Sequence, residues 1–192
     1  MKTILTTAML AATLSAVSPA IAQDTLPAAT RLAMPGENHS MLAPLVGRWN
    51  VDMRVFPGPG ADAIVSSDMS ATREWVLGGR YVQEELSGNF AGHPSERLLI
   101  IGYINLEEQF ELASFDTFEP GFMVYDGQAD GPTISVEGVS LEAGFGPTPT
   151  GRHRDLRFEM TIEDDRSVQR IFVKYPGEDE FLFVEQIFTP AQ

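Results

Sequence analysis

The chain has no cysteine in 192 residues. That excludes disulfides, thiolate metal sites, a cysteine nucleophile and a lipidated-cysteine anchor. It is also short of positive charge, with 13 Lys+Arg against 27 Asp+Glu and a formal net charge of -14. Nucleic-acid binding rests on basic clusters that displace phosphate counterions, so nucleic acid is not an expected partner, and the acidity serves solubility. No apolar run beyond the first two dozen residues is long enough to span a bilayer. The three histidines, His39, His93 and His153, lie in separate segments with no H-x-H or H-E-x-x-H pairing, and Glu163-Asp164-Asp165 lacks the spacing of a calcium loop, so no metal site is expected. There is no Gly-x-Ser-x-Gly nucleophile elbow, and no internal repeat.

What is present begins with a leader. Met1-Lys2 is a minimal positive segment, Ile4 to Val17 is apolar, and Pro19-Ala20-Ile21-Ala22 ends in an A-x-A cleavage form. These features predict a signal peptide over 1–22, cleavage near Ala22, and a soluble protein of the periplasm or cell exterior without stable membrane insertion. The remaining ~170 residues suffice for one domain that buries about two thirds of its surface without staples. Residues 23–35 contain two prolines and no sustained period, and are expected to be a flexible lead-in. Glu37 to Ala43 has two turns of helical potential, stopped by Pro44.

From Gly47 onward the pattern is that of strands. β-like runs fall near 47–56, 63–75, 80–89, 96–104, 109–117, 121–128, 132–140, 152–162, 167–175 and 181–188, separated by Gly- and Pro-rich turns. In 152–162, Leu156, Phe158, Met160 and Ile162 alternate with Asp155, Arg157 and Glu159, which gives one dry and one wet face and so antiparallel pairing. Sequential strands joined by short turns predict a meander, and about ten of them close most economically into a barrel without free edges. The expected domain, 36–192, is therefore all-β: a single antiparallel up-and-down barrel with a short N-terminal helix, with a sandwich as the alternative. The longer Gly/Pro/Thr-rich segment 143–151, with Phe145, is either a flap over the barrel mouth or an inert hairpin loop.

Polar residues on otherwise apolar faces mark candidate ligand contacts, because an unpaired buried charge is costly whereas a cavity needs a few fixed polar groups. Arg73 shares a face with Met69, Ala71 and Trp75; Arg97 with Leu99, Ile101 and Tyr103; Ser114 with Phe110 and Leu112; Arg154 with Leu156, Phe158 and Met160. Arg73 is placed to stack on the indole of Trp75 or of Trp49. Of the neighbours Glu84 and Glu85, only one can point inward, where it pairs with an arginine or serves as a general acid or base; Glu85 is the weak catalytic candidate. The ligand-contact set is thus Arg73, Trp75, Glu85, Arg97, Tyr103, Ser114 and Arg154, while Gly47 and Trp49 are read as the structural floor of the barrel. Arg152-His153-Arg154, with Arg157, is either an anion-attracting patch or a solvated strand end.

Three stretches, PGENHSMLAPLVGRWNVDMRVFPGPG, EWVLGGRYVQEELSGNFAGHP and the turn Gly102-Tyr103-Ile104-Asn105, resemble the secreted bacterial proteins of the domain-of-unknown-function 1579 family. The resemblance runs from about Pro35 to the C-terminus and implies a lipocalin-like (calycin-like) β-barrel, without catalytic residues to carry over. The sequence departs from that pattern at Ile104, where Asp is usual, and at Phe115, where Trp is common. On these grounds the expected function is an exported barrel that binds a small, largely apolar molecule in its interior, with no cofactor. The alternatives are a barrel hydrolase, isomerase or cyclase using an inward Glu with Arg, a haem-binding barrel with an axial His, and a module that docks another envelope protein through its outer face.

Overall fold

A computed structural model describes residues 26–144, 148, 150–163 and 165–192. The leader and its cleavage point, and Phe145 of the 143–151 segment, lie outside the described residues. Ten strands follow one another: β1 (Gly47–Val55), β2 (Ile64–Val76), β3 (Tyr81–Phe90), β4 (His93–Ile104), β5 (Gln109–Asp116), β6 (Met123–Asp130), β7 (Thr133–Leu141), β8 (His153–Ile162), β9 (Ser167–Lys174) and β10 (Phe181–Pro190). Each pairs antiparallel with the next, and β1 pairs with β10, so the sheet closes into an up-and-down barrel. Closure gives every strand two partners and leaves no edge to template aggregation. The sandwich alternative is thereby excluded.

The N-terminal helical region differs in detail from expectation. The segment 23–35 contains a helical turn, α1 (Ala28–Leu32), favoured by Ala and Arg after Pro27. It is tied to the barrel because the Asn105 side-chain amide donates to the carbonyls of both Leu32 and Met34. The second helix, α2, covers only Glu37–Ser40, and Pro44 lies inside a separate 3-10 turn, Ala43–Leu45. Proline is tolerated there because the first turn of a helix needs no N–H from it. This turn drops Leu42 and Leu45, fully buried, into one end of the barrel.

Trp49 anchors that plug. Its indole N–H donates to the Leu45 carbonyl at 2.9 Å, and the backbone leaves the 3-10 turn through Gly47 at φ 146, a conformation that a side chain would disfavour. The interior is apolar on alternate positions of every strand, in two groups bridged by Ile171 and Phe183. β7 approaches β6 closely at Gly127, where only glycine fits: a Cβ there would lie 2.2 Å from the Ser135 carbonyl oxygen and 2.8 Å from the Val136 Cα. The plugged end is set by the starts of odd strands and the ends of even ones. The opposite end, where the loops after β1, β3, β5, β7 and β9 gather, is where the interior opens.

Candidate functional site

A cavity of about 330 Å³ lies at this second end. Its walls are mainly apolar, supplied by Met53, Leu86, Phe90, Met123, Leu156 and Phe183 among others. The polar groups among them are few: Ser95, Arg97 and Gln186 deep on the strands, and His93, Asp116, Glu119, Glu142 and Arg154 nearer the mouth. Ala143 and Gly144, at the start of the long segment after β7, also line the mouth.

Below the cavity is a buried ion cluster. Glu84 is 1% exposed and accepts from Arg73 Nε at 2.8 Å, Arg97 Nη2 at 2.5 Å and Gln169 Nε2 at 3.0 Å. Arg97 Nη2 also donates to Gln169 Oε1 at 2.6 Å, and Arg73 Nη1 to Ser167 Oγ at 2.7 Å. Burial by itself would push the Glu84 carboxyl up, but the guanidiniums of Arg97 and Arg73 outweigh it together and hold the group down at about 2. Arg73 is capped from the other side by the Phe188 ring, 3.8 Å from its guanidinium carbon, and by the Trp49 ring at 5.4 Å. The indole that receives it is therefore Trp49; Trp75 is half-buried and packs into the larger apolar group.

The cluster corrects the assignment of the carboxylates. Glu85 is exposed on the outer face and accepts from Gln83 Nε2 at 3.0 Å, so it can neither touch an interior ligand nor act on one. The inward residue is Glu84, on the same parity as the buried Val82 and Leu86. Of the other candidates, Arg97 and Arg154 line the cavity. Arg73 lies beneath it, in the ion cluster. Tyr103 sits at the plugged end, edge-on to His39 at 5.9 Å and Phe110 at 5.0 Å. Ser114 is buried in the wall beside Leu99 and Met123 without reaching the cavity surface. Gln186, Ser95 and Glu119 were not apparent from the sequence. Gln186 had a usable signal, since it alternates with Val184 and Phe188 on the inward face of β10.

At the mouth, Arg154 donates to Glu119 at 2.5 Å and to Ser140 Oγ at 2.8 Å. Burial pushes the Glu119 carboxyl up despite this partner. Glu142 accepts from the Tyr175 hydroxyl at 2.6 Å, and burial together with this bond pushes the phenol up to about 12. The basic run is not a free anion patch: Arg152 pairs with Glu178 and lies over the Tyr175 ring, and Arg157 pairs with Glu180 and Glu159. Of the three histidines, His93 alone lines the cavity, exposed at its lip. Among the described residues no three His, Asp or Glu side chains stand close enough together to hold a metal ion.

A closed ten-stranded meander, plugged at one end by an N-terminal turn and hollow at the other, defines a calycin-like barrel protein. The chain belongs to the family described as Protein of unknown function (DUF1579), whose model matches residues 34–189. No curated protein matches it. Among solved structures it is similar to the crystal structure of Rv2717c from M. tuberculosis, with a TM-score of 0.58 at 14% identity, over 83% of this chain and 100% of that one. At such identity the likeness speaks for the fold alone.

Proposed function

We propose that this protein is an exported carrier or sensor that binds a small, largely apolar molecule in the open half of its barrel. The observation that carries this reading is the cavity itself: one half of the interior is filled by side chains, whereas the other leaves about 330 Å³ behind an apolar wall with few polar groups, the composition of small-molecule sites. Catalysis through Glu84 is the weaker reading, because that inward carboxylate has its oxygens taken by three donors and does not reach the cavity surface. A carboxylate so held does not exchange a proton near neutral pH. The haem reading would require an axial nitrogen within the cavity, and the lining histidine, His93, stands at its lip.

Native mass spectrometry of protein purified from its own cell envelope tests the proposal. A co-purifying small molecule, lost on denaturation, is the expected result, together with a mature N-terminus at Gln23. An apo mass, and no uptake of any apolar compound in vitro, would refute ligand carriage. A second reading, docking through the outer face, is favoured by exposed Phe115, Phe122, Val124, Val139 and Leu141 on and beside β5–β7, with Phe115 stacked on Phe122 at 5.4 Å. Single-sign apolar exposure of this kind often marks a contact surface. Sedimentation velocity of the chain against Phe122→Ser reports whether that surface is used for self-association.

A further inference from the structure

The charges inside the barrel do not balance. The buried ionised side chains are Arg73, Arg97 and Arg154 against Glu84 alone. Glu119 at the mouth compensates Arg154, which leaves Arg73 and Arg97 sharing one carboxylate. Arginine does not discharge in proteins, so the barrel interior carries one net positive charge. The imbalance is directed. Both guanidiniums keep one buried N–H without an acceptor among the described residues, Nη2 of Arg73 and Nε of Arg97, but Arg73 is packed by Phe188, Trp49, Ser167 and Glu84 away from the cavity, whereas Arg97 lines it. Also in the lining, and paired across strands with the Gln169 that Arg97 bonds, the Gln186 amide uses only one end, on the thioether of Met53 at 3.3 Å; its Oε1 is buried without a donor among the described residues. Thioether sulfur is a weak acceptor, so turning this amide over costs little and presents its N–H₂ to the cavity.

Buried polar groups without partners are rare, and each asks for the ligand that satisfies it. Resting on the binding reading above, we infer that the ligand is an amphiphile with an anionic head, a carboxylate in the simplest case, seated on Arg97 and Gln186 with its apolar body toward the mouth. A carboxylate would neutralise the surplus charge, accept from the Arg97 guanidinium that lines the cavity, and take a second donor from the turned Gln186 amide. It would not need to displace Glu84, whose bonds to both guanidiniums lie on the far side of Arg97 from the cavity. A neutral hydroxyl head would satisfy one orphan and leave the charge, and an ammonium head would add to it. A cavity of about 330 Å³ open at its mouth suits an amphiphile with a body on the order of a dozen heavy atoms, the scale of a medium-chain acid.

Isothermal titration of the full mature chain at neutral pH with decanoate, decanol, methyl decanoate and decylamine tests this. Decanoate should bind at least tenfold tighter than decanol or the ester, and decylamine should bind weakest. In Arg97→Met, and separately in Gln186→Leu, the preference for acid over alcohol should narrow to within about threefold. Equal or tighter binding of decanol or the ester by the natural chain overturns the anionic head and leaves apolar binding standing. Failure of all four compounds to bind overturns the binding reading itself. Should Arg97→Met not fold, the ligand series on the natural chain and the Gln186→Leu comparison decide the question.

Discussion

Replacing Glu84 by glutamine tests the ion cluster at its centre. The side chain is nearly isosteric, so the packing around it is kept while two guanidiniums lose their shared counter-charge. Breaking a buried pair by removing one partner costs about 3–5 kcal/mol, because the remaining charge is stranded. Here it strands two, Arg73 at 1% and Arg97 at 9% exposure, so the upper part of that range applies. For a domain of this size, each kcal/mol shifts Tm by roughly 2–4 °C; a fall of about 10–20 °C follows, with a matching loss of urea midpoint at unchanged slope. The natural protein should also show a pH signature that the variant lacks. The folded carboxyl sits at about 2 against an ordinary 4.5, so its contribution is complete above the unfolded value and drains away as pH falls from about 4.5 toward 2. That difference corresponds to about 3 kcal/mol. Urea titrations of both proteins at pH 7 and pH 3 measure it. If Glu84→Gln costs less than about 1 kcal/mol at pH 7, or if the gap between the two proteins does not shrink at pH 3, the cluster is not held as described. The triple replacement Arg73→Met, Glu84→Leu, Arg97→Met supplies the converse: with all charges gone, stability should return to within a few kcal/mol of the natural chain or exceed it.

Other outcomes follow from the same geometry. Trp49→Phe removes the donor to the Leu45 carbonyl and should cost about 1–3 kcal/mol in chemical denaturation, with no change in ligand affinity, since Trp49 does not line the cavity. Gly127→Ala drives a Cβ into the backbone of β7; a loss of about 3 kcal/mol or more, read from the urea midpoint, is expected from such overpacking. The mouth carries Asp116, Glu119 and Glu142 against Arg154, so an anionic ligand crosses a repelling rim. Stopped-flow association of decanoate should therefore speed up on going from about 10 mM to about 200 mM salt, as screening shortens the reach of that field, and decanol association should not change.

The barrel was legible because its strands are. From Asp155 to Ile162 of β8 polar and apolar residues alternate without interruption, and turns carrying Gly or Pro punctuate the chain at short intervals, so number, direction and meander order all follow from local pattern. The helical region was less so: Pro44 reads as a stop, yet a 3-10 turn accommodates it at a position where no N–H is required. Inward arginines were legible as violations of an apolar face. What each one meets was not. Arg73 stands two residues from Trp75 on its own strand, but it stacks on Trp49 and Phe188 from the neighbouring strands β1 and β10, and which indole is nearer depends on register and curvature. The choice between Glu84 and Glu85 was decidable from Val82 and Leu86, whose shared parity outweighs the apparent equivalence of two adjacent acids. The partition of the interior into a filled and a hollow half was not decidable, because it depends on summed side-chain volumes at each level of a closed surface.

The seam between the first and last strands has a kinetic meaning. Nine of the ten ladders join neighbours in sequence and can form as local hairpins, but Trp49 pairs opposite Pro190, about 140 residues away, where the loop-closure cost is on the order of 4 kcal/mol. Until that ladder zips, β1 and β10 are open edges and the cavity has no fourth wall. Closing the seam is thus also the step that completes the cavity wall, with Met53 and Val55 on one side and Val184 and Gln186 on the other, so the ligand proposed above would act as a latch on it. Strand ends that lie side by side also suit circular permutation: linking β10 back to the N-terminal turn that plugs the barrel and cutting at the Asp130-Gly131-Pro132 turn would make the β1–β10 ladder the local one and hand the long-range closure to β6 and β7.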